Sequence, residues 1–174
     1  MTPDPTWIFG YGSLMWDGWE TGHSCTQRSL ATLHGYARVF NKASVKNWGS
    51  KEKPGPTLNL QQCSEAFCRG MAFRFEDGQA SAVISYLRGR EGKNFALTKL
   101  QVALDGDHSI NALVPLYTGK NLLPAMSSSD LASMVREARG VDGTCSEYVE
   151  GLAAKLRELN IDDTVVSDLA AALR

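Results

Sequence analysis

The chain has 174 residues, with 18 basic against 19 acidic side chains, 43% hydrophobic and 21% charged residues. That length suits a single domain whose core can stand without disulfides or metal, and the even charge balance argues against a nucleic-acid or anionic-membrane partner, leaving a small specific ligand as the favoured one. No apolar run approaches the ~20 residues of a membrane span. Met1-Thr2-Pro3-Asp4-Pro5 lacks a basic start ahead of an apolar core, so the expected location is cytoplasmic rather than secreted.

The first predicted element is a buried strand over Trp7-Ile8-Phe9, which Gly10 and Gly12 are expected to break with backbone angles other residues resist. Residues 17–30 read as a surface loop. Ala31 to Asn41 alternates as a strand with Gly35 as a bulge, and Lys42 to Pro56 reads as a loop. Thr57 to Leu60 and Phe67 to Phe75 are two predicted antiparallel strands, with Gln61 to Ala66 as the turn between them. Gln79 to Arg88 shifts to helical spacing, with Val83, Ile84 and Leu87 on one face and Gly89 as the expected stop. Ala96 to Leu104 and Ser109 to Tyr117 alternate as a strand pair around Asp105-Gly106-Asp107. From residue 124 the pattern is helical. Ser127 to Ser129 offer N-caps for a helix ending near Gly140, Thr144 or Ser146 caps a second, and Asp162 to Leu173 forms a third. Strands first and helices after them give an α+β class in one domain spanning 1–174.

Two stretches can carry chemistry. The Tyr11-Gly12-Ser13-Leu14 loop follows a strand, and clustered amides in such a loop can face an anion such as a carboxylate. Neither the lysine of a phosphate-binding loop nor the third glycine of a dinucleotide fingerprint follows it. Ser13 also lacks a nucleophile elbow, because Met15 stands where the last glycine would be. The second stretch is Arg90-Glu91. A carboxylate just past a helix C-terminus faces the negative end of the dipole, which favours its protonated form and suits it to accept and return a proton. The competing reading of Arg90-Glu91-Gly92-Lys93 is a solvated charged turn. His23, His34 and His108 are scattered without ligand spacing, and Cys25, Cys63, Cys68 and Cys145 form no paired metal motif, so no metal site is expected and the thiols read as free.

These stretches together resemble one family. Phe9-Gly10-Tyr11-Gly12-Ser13-Leu14-Met15-Trp16 is similar to the opening signature of the ChaC-like γ-glutamylcyclotransferases, and Tyr86-Leu87-Arg88-Gly89-Arg90-Glu91 to their Tyr-Leu-X-X-Arg-Glu. Weaker matches follow family order at Gly35 to Phe40, Cys68 to Arg74, Val114 to Tyr117 and Ser146 to Val149. The resemblance implies a small mixed β-barrel with flanking helices and no cofactor. It further implies Glu91 as the catalytic acid/base, and Tyr11, Gly12, Ser13, Leu14, Tyr117 and Tyr148 around a γ-glutamyl substrate, with glutathione favoured. The chain departs from the pattern at Pro54-Gly55-Pro56, where many eukaryotic members have Pro-Gly-Arg, and at Asn41 to Ser44. Those departures leave the reaction class intact and open the substrate to other γ-glutamyl peptides or amines. A non-catalytic binding module on the same fold is the alternative class, and the presence of Glu91 weighs against it.

Overall fold

A computed structural model describes residues 4–106 and 108–174. The N-terminal reading at Met1 to Pro3 and the Asp107 part of the expected turn lie outside the described residues. The strands are β1 (Thr6–Gly10), β2 (Gln27–Ser44), β3 (Gly55–Phe75), β4 (Phe95–Leu104) and β5 (His108–Tyr117), and they close into a barrel in the order β1-β3-β2-β4-β5. The barrel is mixed. β1 runs antiparallel to β3 and parallel to β5, while β2 with β4 and β4 with β5 are antiparallel. The helices are α1 (Asp77–Glu91), α2 (Ser128–Glu137), α3 (Cys145–Glu158) and α4 (Thr164–Ala172). The α+β barrel with helices is therefore as expected, and among the described residues no helix is long and apolar enough to cross a membrane.

Internal contacts divide the chain into two compact units, each built from separated stretches: residues 1–37 with 62–118, and residues 38–61 with 119–174. In the first unit, β4 and β5 pair from Phe95 opposite Tyr117 to Leu104 opposite His108, and Gly106 takes φ 99°, a left-handed angle that suits glycine at the tight connection. α1 lays Val83 and Leu87 against Ile8, Leu14, Trp19, Phe73 and Phe75, all buried. Removing a leucine-sized side chain from water contributes about 1.5–3 kcal/mol, so this cluster is a principal reason α1 and the start of the chain stay together.

The second unit is mostly helical. The Ser127 hydroxyl accepts from the Asp130 amide at the start of α2, and Thr144 forms a reciprocal capping box with Glu147 at the start of α3. Arg38, its side chain fully buried, is paired at 2.9 Å with Asp163, whose other carboxylate oxygen caps α4 at the Val166 amide. A two-residue pair, β6 (Arg139–Gly140) and β7 (Gly143–Thr144), separates α2 from α3 and has no counterpart among the predicted elements.

Several sequence readings are corrected. Gln61 to Ala66 is not a turn but the middle of the continuous strand β3; it holds neither glycine nor proline, and its polar character reflects exposure rather than a reversal of direction. Residues 17–30 are not all surface loop. Trp19–His23 is a 3-10 turn with Trp19 buried, its indole N–H donating to the Leu14 carbonyl at 3.0 Å, and β2 already begins at Gln27. Lys42 to Pro56 is a shorter loop than expected, because β2 continues to Ser44 and β3 starts at Gly55. Gly35 has φ 85°, in keeping with a local irregularity within β2.

Candidate functional site

Two neighbouring pieces of the first unit build the site: the loop that follows β1 and the last turn of α1. Gly10 ends β1 with no positive φ, so the expectation that it needs a glycine-only backbone angle is not met there; Gly12 takes φ −127° and ψ −131°. Space is the reason at Gly10, where an added Cβ would stand 3.0 Å from the Leu14 Cβ and 3.4 Å from Phe73. The chain then winds into a 3-10 turn over Ser13–Met15, closed by Met15 N–H to the Gly12 carbonyl at 3.0 Å and Trp16 N–H to the Ser13 carbonyl at 3.2 Å. The first amides of such a turn have no acceptor inside it.

Side chains anchor this loop from below. Tyr11 is buried, its hydroxyl donating to the Pro115 carbonyl of β5, and Leu14 is buried in the α1 cluster. The loop's side chains at Tyr11 and Leu14 thus hold it to the barrel, while half-buried Gly12 and Ser13 form its more open part.

α1 does not stop at Gly89. It continues to Glu91 and is capped by Gly92 at φ 85°, whose N–H donates to the Arg88 carbonyl at 3.0 Å. A glycine inside a helix costs only ~1 kcal/mol, whereas the left-handed cap strongly favours one, so the second glycine rather than the first sets the end. Glu91 consequently sits in the last helical turn rather than in a loop beyond it, with its side chain 17% exposed.

Arg90 joins the two pieces. Its Nη2 donates to Ser13 Oγ at 2.9 Å and pairs with the Asp17 carboxylate, its Nη1 donates to the Tyr86 hydroxyl at 3.3 Å, and its Nε lies 3.7 Å from Glu91 Oε1. Burial works against the charge of this guanidinium. The hydrogen bonds it donates to Asp17 and Tyr86 and the carboxylates of Asp17 and Glu91 outweigh that burial, so the Arg90 pKa is raised and the side chain stays a cation. Tyr86 is itself stacked on Trp19, with ring planes 5° apart and centroids 5.8 Å apart.

Of the expected site residues, Ser13 and Glu91 are brought together through Arg90, and Tyr11, Gly12 and Leu14 belong to the same loop. Tyr117 ends β5, half-buried, its ring 5.2 Å from that of Phe95. Tyr148 is in the second unit, 4% exposed, where its hydroxyl accepts the Leu58 amide at 3.1 Å and its ring lies 5.3 Å from Trp48. The sequence marks Arg90 as part of the Arg90-Glu91 stretch without giving it a role, and it does not mark Asp17. The i,i+4 spacing of Tyr86 and Arg90 is a local signal for half of the cluster, and nothing local points to Asp17. Among the described residues no group of three or more His, Cys, Asp or Glu side chains is arranged to hold a metal ion.

Comparison with known proteins gives the family and the fold. The family model described as "ChaC-like protein" matches residues 6–174. The chain is 31% identical to the glutathione-specific γ-glutamylcyclotransferase of Schizosaccharomyces pombe, over 97% of this chain and 92% of that protein. It is 30% identical to γ-glutamylcyclotransferase 2-3 of Arabidopsis thaliana, over 97% of this chain and 88% of that one, and 29% identical to the glutathione-specific enzyme of Escherichia coli, over 98% and 73%. A crystal structure of a yeast γ-glutamylcyclotransferase specific to glutathione superposes with a TM-score of 0.86 at 19% identity, covering 98% of this chain and 96% of that one, which establishes the shared fold. By the extent of that family match and the near-complete overlap with its relatives, the chain belongs to the ChaC-like family.

Proposed function

We propose that this protein is a γ-glutamylcyclotransferase that cyclises the γ-glutamyl group of glutathione to 5-oxoproline and releases cysteinylglycine. The observation that carries the reading is the joining of the Tyr11 to Leu14 loop to Glu91 through the Arg90 guanidinium. Matches to one family model from residue 6 to residue 174 support treating both compact units as a single working domain. A cytoplasmic setting follows from the substrate, which is abundant there.

The reaction needs one proton carrier. The substrate's own α-amine attacks its γ-carbonyl, the new ring C–N bond forms, and the bond to the departing amine breaks. Attack requires the α-amine to lose a proton, and departure requires the leaving nitrogen to gain one. Glu91 takes the first proton and returns it to the leaving group, a transfer that typically accelerates a reaction by ~10²–10⁴-fold. Amides of the Gly12 to Leu14 turn hold the substrate carboxylate or the developing oxyanion, and fixing amine and carbonyl in attack geometry supplies much of the remaining acceleration. Tyr117, at the end of β5 in the same unit, is assigned to substrate binding. No metal or organic cofactor takes part, because nucleophile and electrophile are both in the substrate.

The test is a panel of γ-glutamyl compounds scored for 5-oxoproline. Glutathione is expected to be cleaved in preference to γ-glutamyl-alanine, because a site that hydrogen-bonds the Cys-Gly portion rejects analogues lacking it. Faster cleavage of the dipeptide at equal concentration overturns the substrate and leaves the cyclisation standing. No 5-oxoproline from any member of the panel overturns the function.

A further inference from the structure

We propose that Arg90 is a positioning residue, a clamp that fastens the loop after β1 to the final turn of α1 and thereby sets Glu91 against Ser13. The inference deepens the cyclotransferase reading and rests on it. Four groups, two from the loop after β1 and two from α1 itself, converge on one planar side chain: Ser13 Oγ and the Asp17 carboxylate share Nη2, the Tyr86 hydroxyl meets Nη1, and Glu91 Oε1 faces Nε at 3.7 Å. Each edge of the guanidinium therefore has a distinct partner. A lysine presents one compact ammonium on a flexible stem and cannot address these directions at once, so the position is specific for arginine.

The centre of the cluster is largely enclosed. The Arg90 and Glu91 side chains are 18% and 17% exposed and Asp17 is 31% exposed. Below them Tyr86 rests on Trp19, and Trp19 is fixed by its indole bond to the Leu14 carbonyl. The loop is thus held at both ends, by Tyr11 and Leu14 in the barrel and by Arg90 at Ser13 and Asp17. What remains between those anchors is the short turn closed by the Met15 and Trp16 amides. Loosening the Arg90 end frees that turn without removing the carboxylate that moves the proton. Misplacing a reacting group by ~1 Å can cost about 10²-fold in rate, so such a clamp acts on turnover more than on affinity.

The experiment measures Arg90→Met, Arg90→Lys and Asp17→Asn by steady-state 5-oxoproline release from glutathione and by hydrogen exchange at the Met15 and Trp16 amides. For Arg90→Met, kcat is expected to fall about 10²-fold with KM within threefold of wild type, and both amides to exchange about tenfold faster as the turn opens. Arg90→Lys should lie between, with kcat down about tenfold. Asp17→Asn, at a more exposed position, should speed exchange in the same direction and keeps the test open if Arg90→Met does not fold. Exchange at both amides within twofold of wild type in the folded variants overturns the clamp, whatever the activity does. Turnover of Arg90→Met equal to wild type overturns it as well. Wild-type protein that releases no 5-oxoproline instead refutes the cyclotransferase reading, and the exchange arm still judges the clamp by itself.

Discussion

Gly70 tests how tightly the barrel wall is built beneath the site. It lies on β3, facing the end of β1, and a Cβ placed there would stand 2.3 Å from the Gly10 carbonyl oxygen, 3.0 Å from Phe9 Cζ and 3.2 Å from Phe9 Cε2. Carbon and oxygen rarely approach closer than ~3.3 Å, so Gly70→Ala requires a displacement of roughly 1 Å. Phe9 cannot supply it by swinging away, because it is wholly buried, and the other obstacle is backbone. The β1 end must therefore lift from β3. Overpacking strain of this sort costs about 1–3 kcal/mol, and a weakened ladder bond adds ~1 kcal/mol, for a total of about 2–4 kcal/mol. Because Gly10 leads directly into Tyr11, the same displacement pulls on the loop held by the Tyr11 bond to Pro115. Urea unfolding of Gly70→Ala should show this loss of stability at an unchanged m-value, and turnover should fall with it. Stability within ~0.5 kcal/mol of wild type would refute the close-approach argument, since that is the range of an ordinary surface substitution.

Two further predictions concern the second unit. Asp163→Ala removes a carboxylate partner of buried Arg38 and the cap of α4, and should destabilise by about 2–5 kcal/mol, seen as a drop in the urea midpoint; a change below ~1 kcal/mol contradicts the assigned pairing. Cys145 is completely buried, and burial pushes its thiol up from 9.0 to about 12, so it should resist alkylation at pH 8 in the native protein while exposed Cys63 reacts. Its folded pKa is raised, so the stability linked to it is fully present below pH 9.0 and is lost between pH 9.0 and about 12 as only the unfolded thiol ionises. Equal labelling of Cys63 and Cys145 in folded protein contradicts that burial.

Much of this arrangement is legible where the physics is local. Trp7 to Phe9 ends in a glycine loop, the β4 and β5 alternation carries through to a full ladder, and Ser127 and Thr144 cap the helices they precede. Local signals mislead where two residues compete for one role, as Gly89 and Gly92 do. Both resemble a helix stop, and only the backbone angle at Gly92 decides between them. The polar run Gln61 to Ala66 is illegible as strand because exposure on a long ribbon removes the alternation that marks a half-buried one. Contacts that assemble the site are beyond reach for a different reason. The Arg90 bond to Ser13 joins residues 77 positions apart, and no spacing rule specifies which loop a guanidinium at a helix end will meet. Resemblance to a family supplies the Arg90-Glu91 pair and the glycine loop, whereas the part of Asp17 and the partners of Arg90 emerge only when the chain is folded.

Glu91→Gln tests the central claim most directly. Glutamine keeps the size and hydrogen-bonding reach of the side chain while removing its capacity to carry a proton, so folding should be unaffected and only the chemical step should suffer. With glutathione as substrate, the rate of 5-oxoproline formation is expected to fall by at least ~10²–10⁴-fold while the melting temperature remains that of wild type. A Glu91→Gln protein that releases 5-oxoproline within threefold of the wild-type rate would contradict the account.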